Sequence, residues 1–398
     1  MLLTGTIEVG SSFKALQVGT CPFWNSVYVF SKVSMNNHTD LYLVGGFLGS
    51  GKTTAIIEAS RQLISRGIKV GVITNDQGKY LVDTAFFKIE SIPAVEVTGG
   101  CFCCNYDDLN EHIVQLIDEL SPDVIFAESV GSCADIVATV IKPLLTLGAD
   151  TIQPTNFSVF VDGRLLSIWL EDLAMPFSED VVYIFEQQMQ EGGLLVVNKK
   201  DLLTPEELDL IHAALPERFP GKPFILQNSL ESGDVNNWVK ILQEHQIALP
   251  EHSLDFDYGR YGQGEARMAW LDQTVDIDLQ HADPNAVLLT LLREVLMGLA
   301  EKGYGVGHLK FVVSCGEVRT KISFTQILDP GWEAQLPDLS GDTLNLLVNA
   351  RVEASADELR RVIEQALSAT EARFAINLRE SEIAFFHPGV PQPVHRFT

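Results

Sequence analysis

The stretch DLYLVGGFLGSGKTT, residues 40–54, runs from a short apolar segment through a glycine-rich loop into a helical pattern. Residues 41–44 read as a buried strand, Gly46 to Thr53 fit the P-loop spacing, and Lys52 to Arg66 carry helical periodicity. That strand–loop–helix context is what phosphate binding requires. Backbone N–H groups of Gly46, Gly49, Ser50 and Gly51 would wrap phosphates at the helix N-terminus, with Thr54 beside them. Lys52 would neutralise the β and γ phosphates, and the Thr53 hydroxyl would ligate Mg²⁺.

Outward from this loop, apolar runs alternate with helical patterns as in βαβ units, which predicts an α/β nucleotide domain with a mostly parallel sheet. Strands are expected at 68–74, 123–128, 157–162 and 193–198, with a helix over Asp107 to Leu120. Thr204, Pro205 and Glu207 read as N-cap, first-turn proline and capping-box glutamate of a helix reaching about Ala214. Residues 248–265 break the pattern with Pro, Gly and charge and are expected to be a linker between domains at 35–247 and 266–398. The second unit reads as βαβββα, a smaller α+β domain whose last helix is capped by Ser355 with Glu358. Residues 1–34 read as an extension ahead of a native start at Met35 and lack the pattern of a secretory signal.

Two further motifs fall at strand ends. Asn198-Lys199-Lys200-Asp201 follows the fifth expected strand, where Asp201 would accept hydrogen bonds from the ring N–H and amino group of guanine. Adenine presents a lone pair there, and such a mismatch discriminates by orders of magnitude. With the P-loop, this points to GTP. Glu128-Ser-Val-Gly131 places a carboxylate on the Mg²⁺ side of the pocket and the Gly131 N–H near the γ-phosphate, a contact that hydrolysis would remove. Lys52, Thr53, Glu128 and Gly131 are therefore the expected catalytic set.

Between these motifs stands GGCFCCN, with Cys101, Cys103 and Cys104 in four positions. Thiolates suit Zn²⁺, Cu⁺ and, less selectively, Co²⁺ or Ni²⁺, and three sulfurs leave one position open for exchange. A buried cluster of small hydrophobes and a strained disulfide are the competing readings. Cys133, just beyond Gly131, is a candidate added ligand but as a lone cysteine reads as core, and Cys21 and Cys315 carry no role. The remaining cysteines do not form a secreted disulfide framework, so reduced thiols in a cytoplasm are expected.

With 53 acidic against 28 basic residues the net charge is −25, which argues against nucleic acid as partner. No apolar run is long enough for a membrane span.

GGFLGSGKTT, GGCFCC, ESVG and NKKD in this order resemble the CobW-type GTPases, a family of metallochaperones related to the nickel-insertion GTPases. The resemblance covers Asp40 to about Leu242, and the unit from about 266 is similar to the family's C-terminal domain. It implies metal ligation by Cys101, Cys103 and Cys104, nucleotide contacts by Lys52 and Thr53, and guanine reading by Asp201. Where members have Asn-Glu-x-Gly-Glu, this chain has Asn75-Asp76-Gln77-Gly78-Lys79, so Asp76 and Asp83 are the candidate acidic ligands of that segment. The His-rich tract of many relatives is missing from the sequence; His308, His387 and His395 read as structural or partner-facing.

The expected function is a GTPase that binds a transition metal, zinc first and cobalt next, and delivers it to a client protein or a cobalamin-type cofactor pathway. A homodimer is compatible with it. An ATP-dependent kinase or metal-insertion subunit and a non-catalytic, nucleotide-gated metal sensor are the alternatives.

Overall fold

The computed structural model describes residues 38–76, 87, 90–148 and 152–398. The segment 1–34, Met35, Cys21, Gln77 to Lys79, Asp83 and the side chain of Asp76 lie outside the described residues.

The P-loop strand β1 (Thr39–Gly46) is the centre of a seven-stranded sheet. Its neighbours are β4 (Val124–Glu128) and β5 (Ile152–Asp162). Outside β4 lie β2 (Val70–Asp76) and β3 (Ala94–Thr98); outside β5 lie β6 (Leu194–Asn198) and β7 (Phe224–Leu226). Every pairing is parallel. Parallel strands are covered on both faces, so β4 and β6 are buried at all five positions and show no alternation. On one face, α1 (Lys52–Ser65) and α7 (Ser232–Gln243) pack Ile56 and Trp238 against Tyr42, Val44, Phe126 and Phe160. The other face is covered by α2 (Tyr106–Leu120), α4 (Gly163–Leu170), α5 (Glu179–Glu191) and α6 (Pro205–Arg218), through side chains such as Ile113, Leu165, Phe185 and Ile211. A π turn, Val137–Ile141, runs into the short α3 (Lys142–Leu147).

The capping box of α6 forms as expected, but the helix continues beyond Ala214 to Arg218 despite Pro216. Proline forfeits a backbone bond in the last turn, where fewer bonds depend on it, and Leu215, 1% exposed, fixes that turn to the core. Part of the expected linker is also ordered. Residues 258–267 form α8 (Tyr258–Arg267), capped by Asp257, whose carboxylate accepts from the amides of Gly259 and Arg260. Tyr261 and Glu265 are buried on its inner side, while Arg260 and Arg267 reach Asp180 on the outer. Its three glycines hid that periodicity.

The second sheet is antiparallel, in the order β10 (Val318–Phe324), β9 (Gly305–Cys315), β11 (Thr343–Glu353), β8 (Met268–Asp278), β12 (Asn377–Phe386). Helices α9 (Pro284–Glu301) and α10 (Ala356–Phe374) cover one face, packing Leu292 and Ile363 on Leu309, Phe311 and Leu346. The expected βαβββα order thus gains a final strand. β12 carries Arg379, Glu380 and Glu382 at a sheet edge, a charge pattern that protects edges and masks strand character. The opposite face is polar yet buried, with His308, Asn349, Arg351 and Asp272 on it. It faces the nucleotide motifs.

Candidate nucleotide and metal site

All four motifs leave the sheet at its carboxyl edge, the position where parallel α/β sheets bind ligands. The P-loop follows β1, Glu128 ends β4, Asn198 ends β6, and the cysteines follow β3. Gly51 caps α1 at φ 93°, a left-handed geometry, and a Cβ there would lie 2.2 Å from the Asn198 amide nitrogen. Asn198 occupies that space for a reason. Its Nδ2 donates to Ser50 O at 2.8 Å, while its Oδ1 accepts from the Ser229 amide and hydroxyl at 3.0 and 2.8 Å. The first residue of NKKD is thereby a brace for the P-loop.

Lys52, 6% exposed, curls into the loop and donates to Gly46 O at 2.7 Å and Phe47 O at 3.3 Å. The Thr53 hydroxyl donates to Glu128 Oε1 at 2.8 Å. A hydroxyl and a carboxylate meeting at the first turn of the P-loop helix form an oxygen donor set suited to Mg²⁺. Lys199 adopts φ 62° and pairs with Asp162 at 2.8 Å. Burial works to raise the Asp162 carboxyl, but the charges of Lys199 and Arg164 outweigh it and hold the group below its usual range. Asp201 is exposed at the rim.

Gly51, Lys52, Thr53, Glu128, Asn198, Lys199 and Asp201 line one cavity of about 370 Å³, together with Gly49, Thr54 and Gly131. The antiparallel sheet closes its far side with His308, Lys310, Lys321 and Arg351. The two parts touch: a Cβ on Gly49 would lie 2.3 Å from Thr325 Cγ2 and 2.8 Å from Gly307 O. Sequence reading missed this basic wall. Its only local signal is the alternation of His308 and Lys310 with Leu309 and Phe311, and nothing local says what the polar face meets.

The cysteines converge as the spacing implied. Cys101 Sγ lies 2.8 Å from Cys103 Sγ and 3.3 Å from Cys104 Sγ, with 3.7 Å closing the triangle. No disulfide links them. Cys101 and Cys103 are 3% and 1% exposed, while Cys104 is half-buried. Hydrogen bonds from Cys103 and Cys104, and then from Cys133, hold the Cys101 thiol well below the usual thiol range. The loop is fixed by Asn75, whose Nδ2 donates to Gly100 O at 2.7 Å and whose Oδ1 accepts from the Phe102 amide at 2.9 Å. Asp76 ends β2 opposite Thr98, close in register to the cysteine loop.

Cys133 is buried in the core that also holds Cys101 and Cys103. Beside it, Ser132 Oγ donates to Glu265 Oε2 at 3.0 Å, and Glu265 is buried under α8. Burial, then the nearby Cys101 charge, push the Glu265 carboxyl up to about 8. From above, residues 392–397 cross the cysteine loop. The Gln392 amide donates to Cys104 Sγ at 3.2 Å, Val394 N to Cys103 O at 2.9 Å, and His395 packs edge-on to Tyr106. Arg396 Nε anchors this segment on Asp135 at 2.8 Å. His308 bonds Asn349, and His387 accepts from the Ala356 amide. Cys315 lies in the core of the second sheet.

The model of the CobW/HypB/UreG nucleotide-binding domain matches residues 40–225. Those residues belong to that domain family. Among curated proteins, the chain is 27% identical over 208 residues to the zinc chaperone CobW of Sinorhizobium sp, covering 46% of this chain and 57% of that protein. It is 29% identical over 171 residues to the zinc chaperone YeiR of Escherichia coli (strain K12), covering 41% and 47%. The chain spans about half the length of these curated relatives. A crystal structure of Zn(II)-bound YjiA GTPase from E. coli aligns over 83% of this chain and 99% of that one, at 14% identity and a TM-score of 0.34. Among the described residues, no helix is long and apolar enough to cross a membrane.

Proposed function

We propose that this chain binds GTP with Mg²⁺, hydrolyses it, and uses the cycle to hold and release a transition metal for a client protein or a cobalamin-type cofactor pathway in the cytoplasm. Zinc is the first candidate, cobalt the second. One observation carries the reading: three thiols close enough to share one ion follow β3 of the sheet that carries the P-loop and Glu128, and the core that buries Cys101 and Cys103 also includes Val130 and Cys133 of the turn after Glu128. In this reading Lys52 and the loop amides would neutralise and position the phosphates, and Thr53 with Glu128, joined by Asp76 on the sequence reading, would hold Mg²⁺, which would supply charge neutralisation. Asp201 reads guanine. Loss of the γ-phosphate frees Gly131, and the turn shifts against the cysteine loop. The names of the curated relatives support zinc as cargo.

The test is linkage. Zn²⁺ affinity, measured by competition with a chromophoric chelator, is expected to differ by about tenfold or more between the GTP-analogue and GDP states, a coupling of about 1.4 kcal/mol. Equal affinities in the two states and in empty protein would remove the switch. The burial of Cys101 and Cys103 also favours a second reading, a retained metal in a nucleotide-gated sensor. Zinc that passes to a client or chelator faster during hydrolysis argues for delivery; zinc that never leaves argues for the sensor.

A further inference from the structure

We propose that the antiparallel sheet takes part in nucleotide binding: Lys310 and Lys321, reaching into the cavity from the second sheet, contact the phosphates and favour GTP over GDP. The inference rests on the reading of the P-loop cavity as a GTP site. It goes beyond that reading, because the nucleotide motifs all lie on the parallel sheet and none extends past Asp201.

Close contacts set β9 along the P-loop and its helix. At the start of the strand, a Cβ on Gly307 would lie 2.6 Å from Leu48 Cδ1, and a Cβ on Gly49 would lie 2.8 Å from Gly307 O. Further along, Val312 is 3% exposed and packs on Ile57 of α1. Lys310 falls between these two contacts, in the stretch that runs beside Lys52 and Thr53. On β10, Lys321 is opposite Val312 and Ser323 is opposite Lys310, so the two lysines stand diagonally on one face. Both line the same cavity as Lys52, Thr53 and Thr54.

The other two basic residues of this wall are committed to the sheet itself. His308 is bonded to Asn349 at 2.8 Å, and Arg351, 1% exposed, lies 3.3 Å over the Trp270 ring and 3.8 Å from Asp272. Lysine suits the remaining role, since its ammonium is a compact charge on a flexible stem with three rotatable donors. Each lysine already has a partner within the chain, so phosphate contact is an exchange of partners. A triphosphate carries more charge than a diphosphate, and cations beside it gain more from GTP. A second tie lies at NKKD. Arg164 pairs with Asp329, beyond β10, at 2.8 Å and with Asp162 at 2.9 Å, and Asp162 in turn pairs with Lys199. The second sheet is thus joined to the nucleotide loops at two places, and a nucleotide held from both sheets makes the C-terminal part a reader of its phosphate state.

The experiment is a titration of the full chain with GDP and with a non-hydrolysable GTP analogue, both with Mg²⁺, wild type beside the double variant Lys310→Met with Lys321→Met. Affinity for the analogue is expected to fall about tenfold or more in the double variant, and affinity for GDP clearly less. Arg319→Met removes an exposed cation of β10 outside the cavity and is expected to leave both affinities unchanged. Equal losses for the two nucleotides, losses matched by Arg319→Met, or no loss would each overturn the proposal. Lysine methylation of the wild-type protein, read by mass spectrometry, needs no variant. The analogue is expected to protect Lys310 and Lys321, and an analogue that binds while both stay unprotected overturns the second-sheet contact and leaves the GTP site standing. Wild-type protein that binds neither nucleotide removes the GTP reading, and this inference with it.

Discussion

The nucleotide loop and the cysteine loop leave the same edge of one sheet, after β1 and β3, but they are built from different materials. The first is a contiguous run, Gly46 to Thr54, whose shape is backbone: left-handed glycines, inward amides and a lysine folded onto its own carbonyls. The second is an assembly of side chains on the β3–α2 loop, held from outside by Asn75 and by residues 392–396. A backbone site is fixed when its own few residues fold; a side-chain site depends on everything that holds its parts together. The two should therefore fail in different ways.

The largest separation is expected from Cys101→Ser, which removes the sulfur bonded to all the others. Zinc affinity should fall on the order of a hundredfold or more while GTP binding stays within a factor of two or so, measured by chelator competition and nucleotide titration. A parallel loss of nucleotide binding would mean that the two sites are one cooperative unit.

Glu265, which accepts from Ser132 in the turn after Gly131, gives a pH signature to the metal-free protein. Its folded value of about 8 exceeds the ordinary 4.5, so the folded state holds the extra proton between these values. Its contribution is fully present below pH 4.5 and is lost as pH rises through about 8. Wild-type stability should drop between pH 5 and 8 by about 2 kcal/mol more than that of Glu265→Gln, read from urea midpoints. Equal slopes would detach Glu265 from both sites.

Gly51→Ala tests the backbone half. At φ 93° an alanine is strained by about 1–3 kcal/mol, and its Cβ displaces the Asn198 brace. Nucleotide affinity should fall about tenfold or more with zinc affinity unchanged. Asp201→Asn should reduce the preference for GDP over ADP by about tenfold, seen in paired titrations. The smallest effect is expected from Arg396→Ala, which loosens residues 392–397. Its ion pair with Asp135 is partly exposed and is worth about 1 kcal/mol, so Cys104 should react about fivefold faster with a thiol reagent.

This contrast also explains what the amino-acid string discloses. The P-loop, NKKD and ExxG are legible because each is a local spacing whose chemistry is complete within a few residues. The buried strands were legible by their unbroken apolar runs, such as VIFAE at β4. The partners of those motifs were not. Asn198 bracing Ser50 spans 148 positions, Ser132 with Glu265 spans 133, and Gln392 on Cys104 spans 288. No periodicity encodes such pairings. α8 and β12 were obscured differently, by glycines that weaken a helical pattern and by edge charges that break a strand pattern.

The cap over the cysteines has a consequence for the life of the chain on the ribosome. Cys104 is made 288 residues before the Gln392 amide that covers its sulfur. At roughly 5–20 residues per second, synthesis leaves the thiols uncovered for roughly a quarter of a minute to a minute. Throughout that interval a nascent cysteine loop meets the free ions and oxidants of its surroundings without the lid that the finished protein places over it.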